Sequence, residues 1–261
     1  MKKFISKIKI SKKSYWDDVY KSINDSQIAA ALDGYWRKKM FSLLARYLPI
    51  GGNKKFIEIG GAPGTSAILF NKFFQYDSYV VDYSEVGIEK TKNNFHKMGL
   101  SDGNVILKDS LSEEFLSKYE EEFDVVLSDG FIEHFKEPSD ILKTHLKILK
   151  KGGFLIVIIP VNNFILKLQP FFKKGVVDQY NAPFMNIKEF QKIFLSQKDI
   201  EISYLNYFGG INLAILVYAN FFIRKMMYGL QRIIEIIKLD SIIPLNKHTS
   251  PYIICVVKKI S

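Results

Sequence analysis

A glycine-rich turn follows a short apolar segment in the first third of the chain. The stretch Lys54–Phe70 reads KKFIEIGGAPGTSAILF, with Glu58 inside the apolar segment and Gly60, Gly61 and Gly64 after it. Glycines let backbone N–H groups approach a ligand, and a helix that starts just after them favours an anionic ligand group. A buried acid is costly unless it meets a donor or a cation, so we expect Glu58 to orient a loop N–H or a ligand ammonium group.

Two common phosphate-binding patterns do not fit this turn. The G-x-G-x-x-G pattern of nicotinamide-binding proteins needs glycine where the chain has Ala62 and Thr65. The P-loop pattern fails as well, because Gly60 leads to Thr65 rather than to Gly-Lys-Ser/Thr. The pattern that remains is E-x-G-x-x-x-G, formed by Glu58, Gly60 and Gly64.

Further acids follow the next predicted strands. Asp82 ends the second strand, 22 residues after Gly60, where an acid can accept hydrogen bonds from ribose hydroxyls; a helix cap is the alternative role. Asp109 follows the third strand in ILKDS, which also fits a capped surface turn. The fourth strand lies in FDVVLSDGFIEHF, residues 123–135, and places Asp129 at its exit.

Taken in order, these segments resemble the motifs of the class I S-adenosylmethionine-dependent methyltransferases. The resemblance covers Lys54–Pro160, although the family usually carries glycine where this chain has Ala62. It implies S-adenosyl-L-methionine as the cofactor, S-adenosyl-L-homocysteine as the product, and transfer of a methyl group to an acceptor nucleophile. The residues that the resemblance assigns to the cofactor are Glu58, Gly60, Gly61, Ala62, Gly64, Asp82, Tyr83, Asp109, Ser110, Ser128, Asp129 and Gly130.

The periodicity of the chain predicts an α/β fold with a doubly wound, mostly parallel sheet. Short apolar segments alternate with amphipathic ones, and FLIVIIP at 154–160 is apolar throughout, as a central parallel strand should be. Glycines 152 and 153 are expected to end the preceding helix. The resemblance implies seven strands, with 200–208 and 251–260 as an antiparallel closing pair.

Two segments outside the sheet are expected to shape the site. Residues 1–50 are predicted to be an N-terminal helical cap on a methyltransferase domain at 51–261, which carries a helical insertion at about 209–248. In the insertion, the apolar stretch 211–238 is interrupted by Arg and Lys. It fits a lid, a homodimer face, or an amphipathic helix in peripheral contact with a membrane.

The aromatic residues of the cap have two interpretations. They belong either to two helices that pack on the sheet, or to a first segment that folds over the cofactor, with Arg37 near its carboxylate. The residues concerned are Tyr15, Trp16, Tyr35 and Trp36.

The pair Glu133-His134 is the candidate for acid–base chemistry. His134 can take a proton from an acceptor hydroxyl while the carboxylate orients the ring, or the pair can hold the loop after the fourth strand in place. His145 lies among Lys and Leu and is expected on the surface, and His96 is expected to be structural at a helix end. No metal site is expected.

The amino-acid composition is compatible with several classes of methyl acceptor. The formal net charge of +10 favours an anionic partner, although a lysine-rich composition explains it as well, and Cys255 as the only cysteine indicates a reducing, cytoplasmic setting. The aromatic and apolar caps favour a small-molecule, glycan or lipid-linked acceptor. Nucleic acid is the alternative, but Ser128-Asp129-Gly130-Phe131 replaces the Asn/Asp-Pro-Pro-aromatic segment of amino-directed DNA enzymes. A non-catalytic cofactor-binding protein is the other alternative.

Overall fold

The structure is a computed structural model, and it describes four stretches of the 261-residue chain. Parts of the predicted cap and of the predicted insertion therefore lie outside the described residues, namely 1–8, 211–220 and 238–242. The described stretches are 9–168, 177–210, 221–237 and 243–261.

The described residues form a seven-stranded sheet with the order β3-β2-β1-β4-β5-β7-β6. Strands β1 to β5 run parallel to one another, and β7 lies between β5 and β6 and is antiparallel to both. This arrangement confirms the predicted fold class, including the antiparallel closing pair. The strands are β1 Lys55–Ile59, β2 Asp77–Asp82, β3 Val105–Leu107, β4 Phe123–Asp129, β5 Leu149–Pro160, β6 Ile200–Phe208 and β7 Tyr252–Lys259.

Helices precede the sheet, connect its parallel strands and follow β6. Within the described stretches, three of them lie before β1, where the helical cap was predicted, and one lies between β6 and β7, where the insertion was predicted. The helices are α1 Lys13–Ser22, α2 Asp25–Asp33, α3 Tyr35–Leu44, α4 Thr65–Phe74, α5 Glu85–Lys97, α6 Glu113–Lys118, α7 Pro138–Ile148, α8 Phe164–Leu168, α9 Ile187–Leu195 and α10 Phe221–Ile236.

Apolar side chains cover both faces of the sheet because helices lie on both sides of it. Successive residues of a strand point to opposite faces, so in β1 the side chain of Phe56 belongs to one core cluster while those of Ile57 and Ile59 belong to the other. The same alternation separates Val125 from Val126 in β4. The carboxyl ends of β1, β2 and β4 lie together at one edge of the sheet, between the two apolar clusters that cover its faces.

Two sequence expectations are wrong. Gly152 and Gly153 do not end a helix, because α7 ends at Ile148 and both glycines lie within β5. A Cβ on Gly153 would lie 2.8 Å from the carbonyl oxygen of Asp124, so the glycine permits close pairing with β4. His145 is not on the surface: its side chain is only 1% exposed, because it lies on the face of α7 that packs against β4.

Candidate functional site

A cleft lies at the carboxyl ends of β1, β2 and β4. It encloses about 730 Å³, including open solvent at its mouth. Ligands in open parallel sheets bind at this edge, where the strand order changes direction. The sheet side of the cleft is formed by Gly60, Ala62, Asp82, Tyr83, Asp129 and Gly130. Half of the predicted cofactor-binding residues therefore line one cavity.

The turn after β1 needs glycine for close packing. Gly60 has φ +64°, in the left-handed region, and a Cβ there would lie 2.5 Å from the ring of Phe131. A Cβ on Gly61 would come within 2.6 Å of the Glu58 side chain. Gly64, with φ +84°, precedes α4 and packs against Thr91. Gly60 borders the cleft, while Gly61 and Gly64 hold the turn against the body of the protein.

Glu58 lies beneath this turn. One of its carboxylate oxygens accepts a hydrogen bond of 3.3 Å from the N–H of Ala67, so the backbone donor lies in the first turn of α4 rather than in the loop where it was expected. Burial raises the pKa of Glu58 to about 8, although the charge of Arg37 opposes the shift. Arg37 comes from α3 and donates a hydrogen bond of 2.5 Å to the Ser66 hydroxyl. The Nε of Arg37 is buried without a hydrogen-bond partner.

Asp82 connects three parts of the site. One oxygen accepts a 2.8 Å hydrogen bond from the N–H of Ser84, and the other accepts from the Tyr20 hydroxyl over 2.9 Å. The N–H of Ala62 lies 3.4 Å from the second oxygen. Burial raises the pKa of Asp82, while these donors oppose the shift. The helix cap of α5 is supplied by Ser84, whose hydroxyl accepts from the N–H of Gly87, so Asp82 is not the cap residue.

The first helix of the described residues, α1, forms the wall opposite the sheet. Trp16 and Tyr20 line the cleft with their aromatic rings, and Trp16 contacts the His134 ring edge-on at a centroid distance of 4.9 Å. Asp17 accepts a hydrogen bond from the Ser84 hydroxyl and so ties α1 to the start of α5. The interpretation in which the first segment covers the site therefore fits α1. Trp36, by contrast, packs on Tyr252 away from the cleft.

His134 and Glu133 lie in a short 3₁₀ helix, Ile132–His134, after β4. The His134 Nδ1–H donates to the carbonyl oxygen of Gln179 over 2.7 Å, which leaves the lone pair on Nε2. Burial lowers the pKa of His134 to about 4 and raises the pKa of Glu133 to about 8. The His134 Nε2 lies 3.8 Å from Glu133 Oε1, and Glu133 Oε2 is buried without a partner. Burial thus favours the neutral form of both groups.

Three predicted residues lie beside the cleft rather than in its lining. Asp109 forms a 3.2 Å ion pair with Lys9, and its other oxygen accepts from the N–H of Leu111. Ser110 is buried next to it. The Ser128 hydroxyl is fully buried and lies 3.1 Å from Nε2 of His145. Contact of these three residues with a cofactor stays a prediction.

Sequence reasoning missed Tyr20 as a site residue. Its ring is only 5% exposed, and burial beside the Asp82 carboxylate raises the pKa of its hydroxyl well above the usual value. The available signal was the spacing of four residues between Trp16 and Tyr20, which places both rings on one face of α1. Lys9 was missed as well; its ammonium lies 4.4 Å from the centre of the Tyr83 ring at the cleft.

The lining of the cleft suits a ribose-bearing cofactor. Gly60 and Gly130 both have positive φ and line the cleft, so backbone groups border it at these two positions. Asp82 offers carboxylate oxygens at the end of the second strand, which is the position from which ribose hydroxyls are held in doubly wound folds. The strand order and this edge together define the Rossmann-like methyltransferase class.

The comparison with family models agrees with that class. The model described as a methyltransferase domain matches residues 32–197, and the chain belongs to this family of S-adenosylmethionine-dependent methyltransferases. A comparison with functionally curated proteins returns no sequence match.

Solved structures share the fold at low sequence identity. A SAM-dependent methyltransferase from Archaeoglobus fulgidus is 16% identical with a TM-score of 0.52, over 85% of this chain and 94% of that one. Geranyl diphosphate C-methyltransferase from Streptomyces coelicolor is 14% identical with a TM-score of 0.58, over 91% and 82%. The [4+2]-cyclase SpnF is 15% identical with a TM-score of 0.56, over 85% and 80%. At such identities the likeness concerns the fold alone.

Proposed function

We propose that the chain transfers the methyl group of S-adenosylmethionine to a hydroxyl of a small-molecule, glycan or lipid-linked acceptor. The observation that carries the proposal is the meeting of Gly60, Asp82, Gly130 and His134 in one cleft. The bound cofactor supplies an electrophilic methyl group on its sulfonium sulfur. The chain has to hold both partners in line and accept one proton, and such positioning can contribute about 7–11 kcal/mol.

The cofactor is assigned to the sheet side of the cleft. Asp82 accepts hydrogen bonds from the ribose hydroxyls, while the backbone of the turn at Gly60–Gly64 faces the methionine end. Glu58 orients this turn through the N–H of Ala67. Asp109 and Ser110 are the proposed contacts of the adenine end of the cofactor. Ser128, Asp129 and Gly130 remain proposed cofactor-binding residues.

His134 is the proposed general base. The carbonyl of Gln179 fixes the Nδ1–H tautomer, so the lone pair on Nε2 is the one able to take the proton of an acceptor hydroxyl. A pKa of about 4 leaves Nε2 unprotonated throughout the physiological pH range, and burial at the same time makes the ring a weaker base than a solvated histidine. Glu133 lies 3.8 Å from Nε2 and is the group placed to orient the protonated ring.

The acceptor is assigned to the aromatic end of the cleft. Trp16, Phe131 and Phe135 line it together with aliphatic side chains from α1 and the residue after it. Apolar and aromatic walls with few polar groups suit a hydrophobic molecule, or a sugar stacked on a ring. The solved S. coelicolor enzyme was crystallised with geranyl diphosphate, which supports a small-molecule acceptor without identifying it.

The test follows labelled methyl groups from S-adenosylmethionine into lipid, glycan and nucleic-acid fractions of a cell extract. We expect label in the lipid or glycan fraction, and little or none when the Asp82→Asn variant replaces the wild type. An Asp77→Asn variant is the matched control, because Asp77 lies at the opposite end of the same strand. Label found only in RNA or DNA would reject the proposed acceptor class, and no transfer despite cofactor binding would favour a non-catalytic role.

A further inference from the structure

An apolar stripe on α10 faces solvent. Phe222 is 80% exposed, and the stripe continues at intervals of three or four residues along the helix. At 100° per residue, its members span an arc of about 120°. Large apolar side chains grouped in this way on a surface mark an interaction site. The stripe consists of Phe222, Met226, Leu230, Ile233, Ile236 and Ile237.

A different face of the same helix points toward the protein. Gln231 is buried, and Ile223, Met227 and Ile234, which lie on the same side, are partly buried. None of the described residues of α10 lines the cleft. The exposed stripe is therefore neither the face that packs on the fold nor a described wall of the active site, and the lid interpretation lacks support in the part of the chain that the structure describes.

Basic side chains border the stripe. Lys225 and Arg232 are exposed and lie seven residues apart, so both are on the same edge of the helix. Over the sequence of α10 there are three cations, Arg224, Lys225 and Arg232, against one acid, Glu235. An apolar stripe with a basic margin is the pattern of helices that lie in the plane of a membrane interface.

The surroundings of Arg232 are basic as well. The pKa of the exposed Asp33 is lowered mainly by its ion pair with Lys38, and the charges of Arg232 and Lys72 add to this shift. Three cations from different helices therefore lie within electrostatic reach of a single carboxylate. The margin of the stripe has an excess of positive charge, which complements an anionic surface.

We propose that the exposed stripe of α10 docks on the surface of an anionic lipid bilayer. Phe222, Met226 and Ile233 enter the boundary between head groups and acyl chains, while Lys225 and Arg232 contact the anionic head groups. Across the stretches of chain that the structure describes, we find no helix with the length and apolar character needed to cross a bilayer. This proposal is independent of the acceptor and of the methyl-transfer chemistry.

A second copy of the chain is the competing occupant, and the dimensions of the stripe argue against it. A helix of 16 residues is about 24 Å long, so a stripe about 10 Å wide offers roughly 240 Å². Stable protein–protein interfaces bury about 800 Å² on each partner. A bilayer needs no complementary protein surface, so a single stripe with cationic neighbours suffices for reversible binding.

The test is flotation of the full chain with vesicles. We expect the protein to float with vesicles of phosphatidylcholine and phosphatidylglycerol, to float weakly with phosphatidylcholine alone, and to be released by salt. The triple variant Phe222→Ser, Met226→Ser, Ile233→Ser should lower the partition coefficient about a hundredfold or more. The matched control is Ile50→Ser, Met98→Ser, Leu195→Ser, which removes apolar side chains of similar exposure elsewhere and should float like the wild type.

A second variant addresses the charges and guards against misfolding of the first. Lys225→Glu with Arg232→Glu should lower binding to the anionic vesicles at least about tenfold, whereas Lys188→Glu with Lys198→Glu on another exposed surface should not. Circular dichroism and the melting temperature check that each variant is folded. The proposal is overturned if the wild type does not float, or if the control variants lose binding equally. It is also overturned if sedimentation without vesicles shows a dimer that the serine triple variant abolishes.

Discussion

The hydroxyl of Tyr20 donates a hydrogen bond of 2.9 Å to Asp82, which joins helix α1 to the acid at the end of β2. The same carboxylate also accepts from Ser84 at the start of α5 and faces the N–H of Ala62 in the glycine turn. The proposed ribose-binding residue thus fixes the relative positions of α1, the turn and α5. A change at Asp82 should affect both cofactor affinity and the attachment of α1.

Asp82→Asn should weaken binding of S-adenosylhomocysteine about 10- to 100-fold. The amide keeps the shape of the side chain but loses one oxygen and the charge that strengthen the hydrogen bonds to ribose. Isothermal titration calorimetry measures the loss. Asp77→Asn, at the exposed start of the same strand, should bind like the wild type. Unchanged affinity in Asp82→Asn would remove this residue from the cofactor site.

Gly60→Ala should destabilise the protein by about 2–4 kcal/mol and reduce cofactor binding. Its Cβ would combine an unfavourable positive φ with a contact of 2.5 Å to the Phe131 ring at the cleft. Gly52→Ala is the control, since Gly52 has φ +86° but no atom within 4 Å of its Cβ position. Urea unfolding measures the free energy of unfolding of both variants. Equal decreases in Gly60→Ala and Gly52→Ala would show that the Phe131 ring moves aside at little cost.

Glu133→Gln should make the free energy of unfolding less dependent on pH between about pH 5 and pH 8. Burial raises the pKa of Glu133 to about 8, so in this range the folded state holds a proton that the unfolded state has released. The free energy of unfolding of the wild type therefore decreases as the pH rises through this window. Urea titrations at several pH values measure the slope.

Two further variants control this measurement. Glu113→Gln, at an exposed glutamate, should leave the slope unchanged. Glu58→Gln should also reduce the slope, because the pKa of Glu58 is likewise raised to about 8 by burial. A Glu133→Gln variant with the slope of the wild type would show that Glu133 is ionised in the folded protein at neutral pH.

His134→Gln should lower kcat about 10²- to 10⁴-fold with little change in cofactor affinity, as expected on removal of a general base. Because burial lowers the pKa of His134 to about 4, the rate of the wild type should show no inflection near pH 6.5. His96→Gln is the control, since His96 is exposed and pairs with Asp102. If His134→Gln keeps the wild-type rate but melts at a lower temperature, the histidine is structural.

The strands were predictable because their apolar segments are short, local and bounded by turn residues. The limits of β6 coincide with the predicted 200–208, and β1 lies in the apolar segment that precedes the glycine turn. The failures concern residues whose environment is set by distant partners. His145 is flanked by lysines at short range, and nothing in that neighbourhood indicates that its ring meets Ser128 inside the fold.

The residues of the site also divide into those that local sequence predicts and those that distant partners position. Gly60, Asp82 and Gly130 could be placed together because each follows a strand, and the ends of parallel strands share an edge. Tyr20 could not, because its partner lies 62 residues away and the angle at which α1 crosses that edge depends on packing. The ion pair of Asp109 with Lys9 depends on the same placement of the N-terminal segment.

The pairing of the N-terminal segment with the loop after β4 determines when the cleft is complete. Lys9 and Phe135 form an isolated antiparallel bridge, and the N–H of Ile10 donates to the carbonyl of His134 over 2.8 Å. During synthesis on the ribosome, Lys9 and Ile10 can form these backbone bonds only after the loop that follows β4 has been made. In the finished protein these backbone bonds lie outside the seven-stranded sheet, so the N-terminal segment is joined to the loop after β4 independently of the strand pairing.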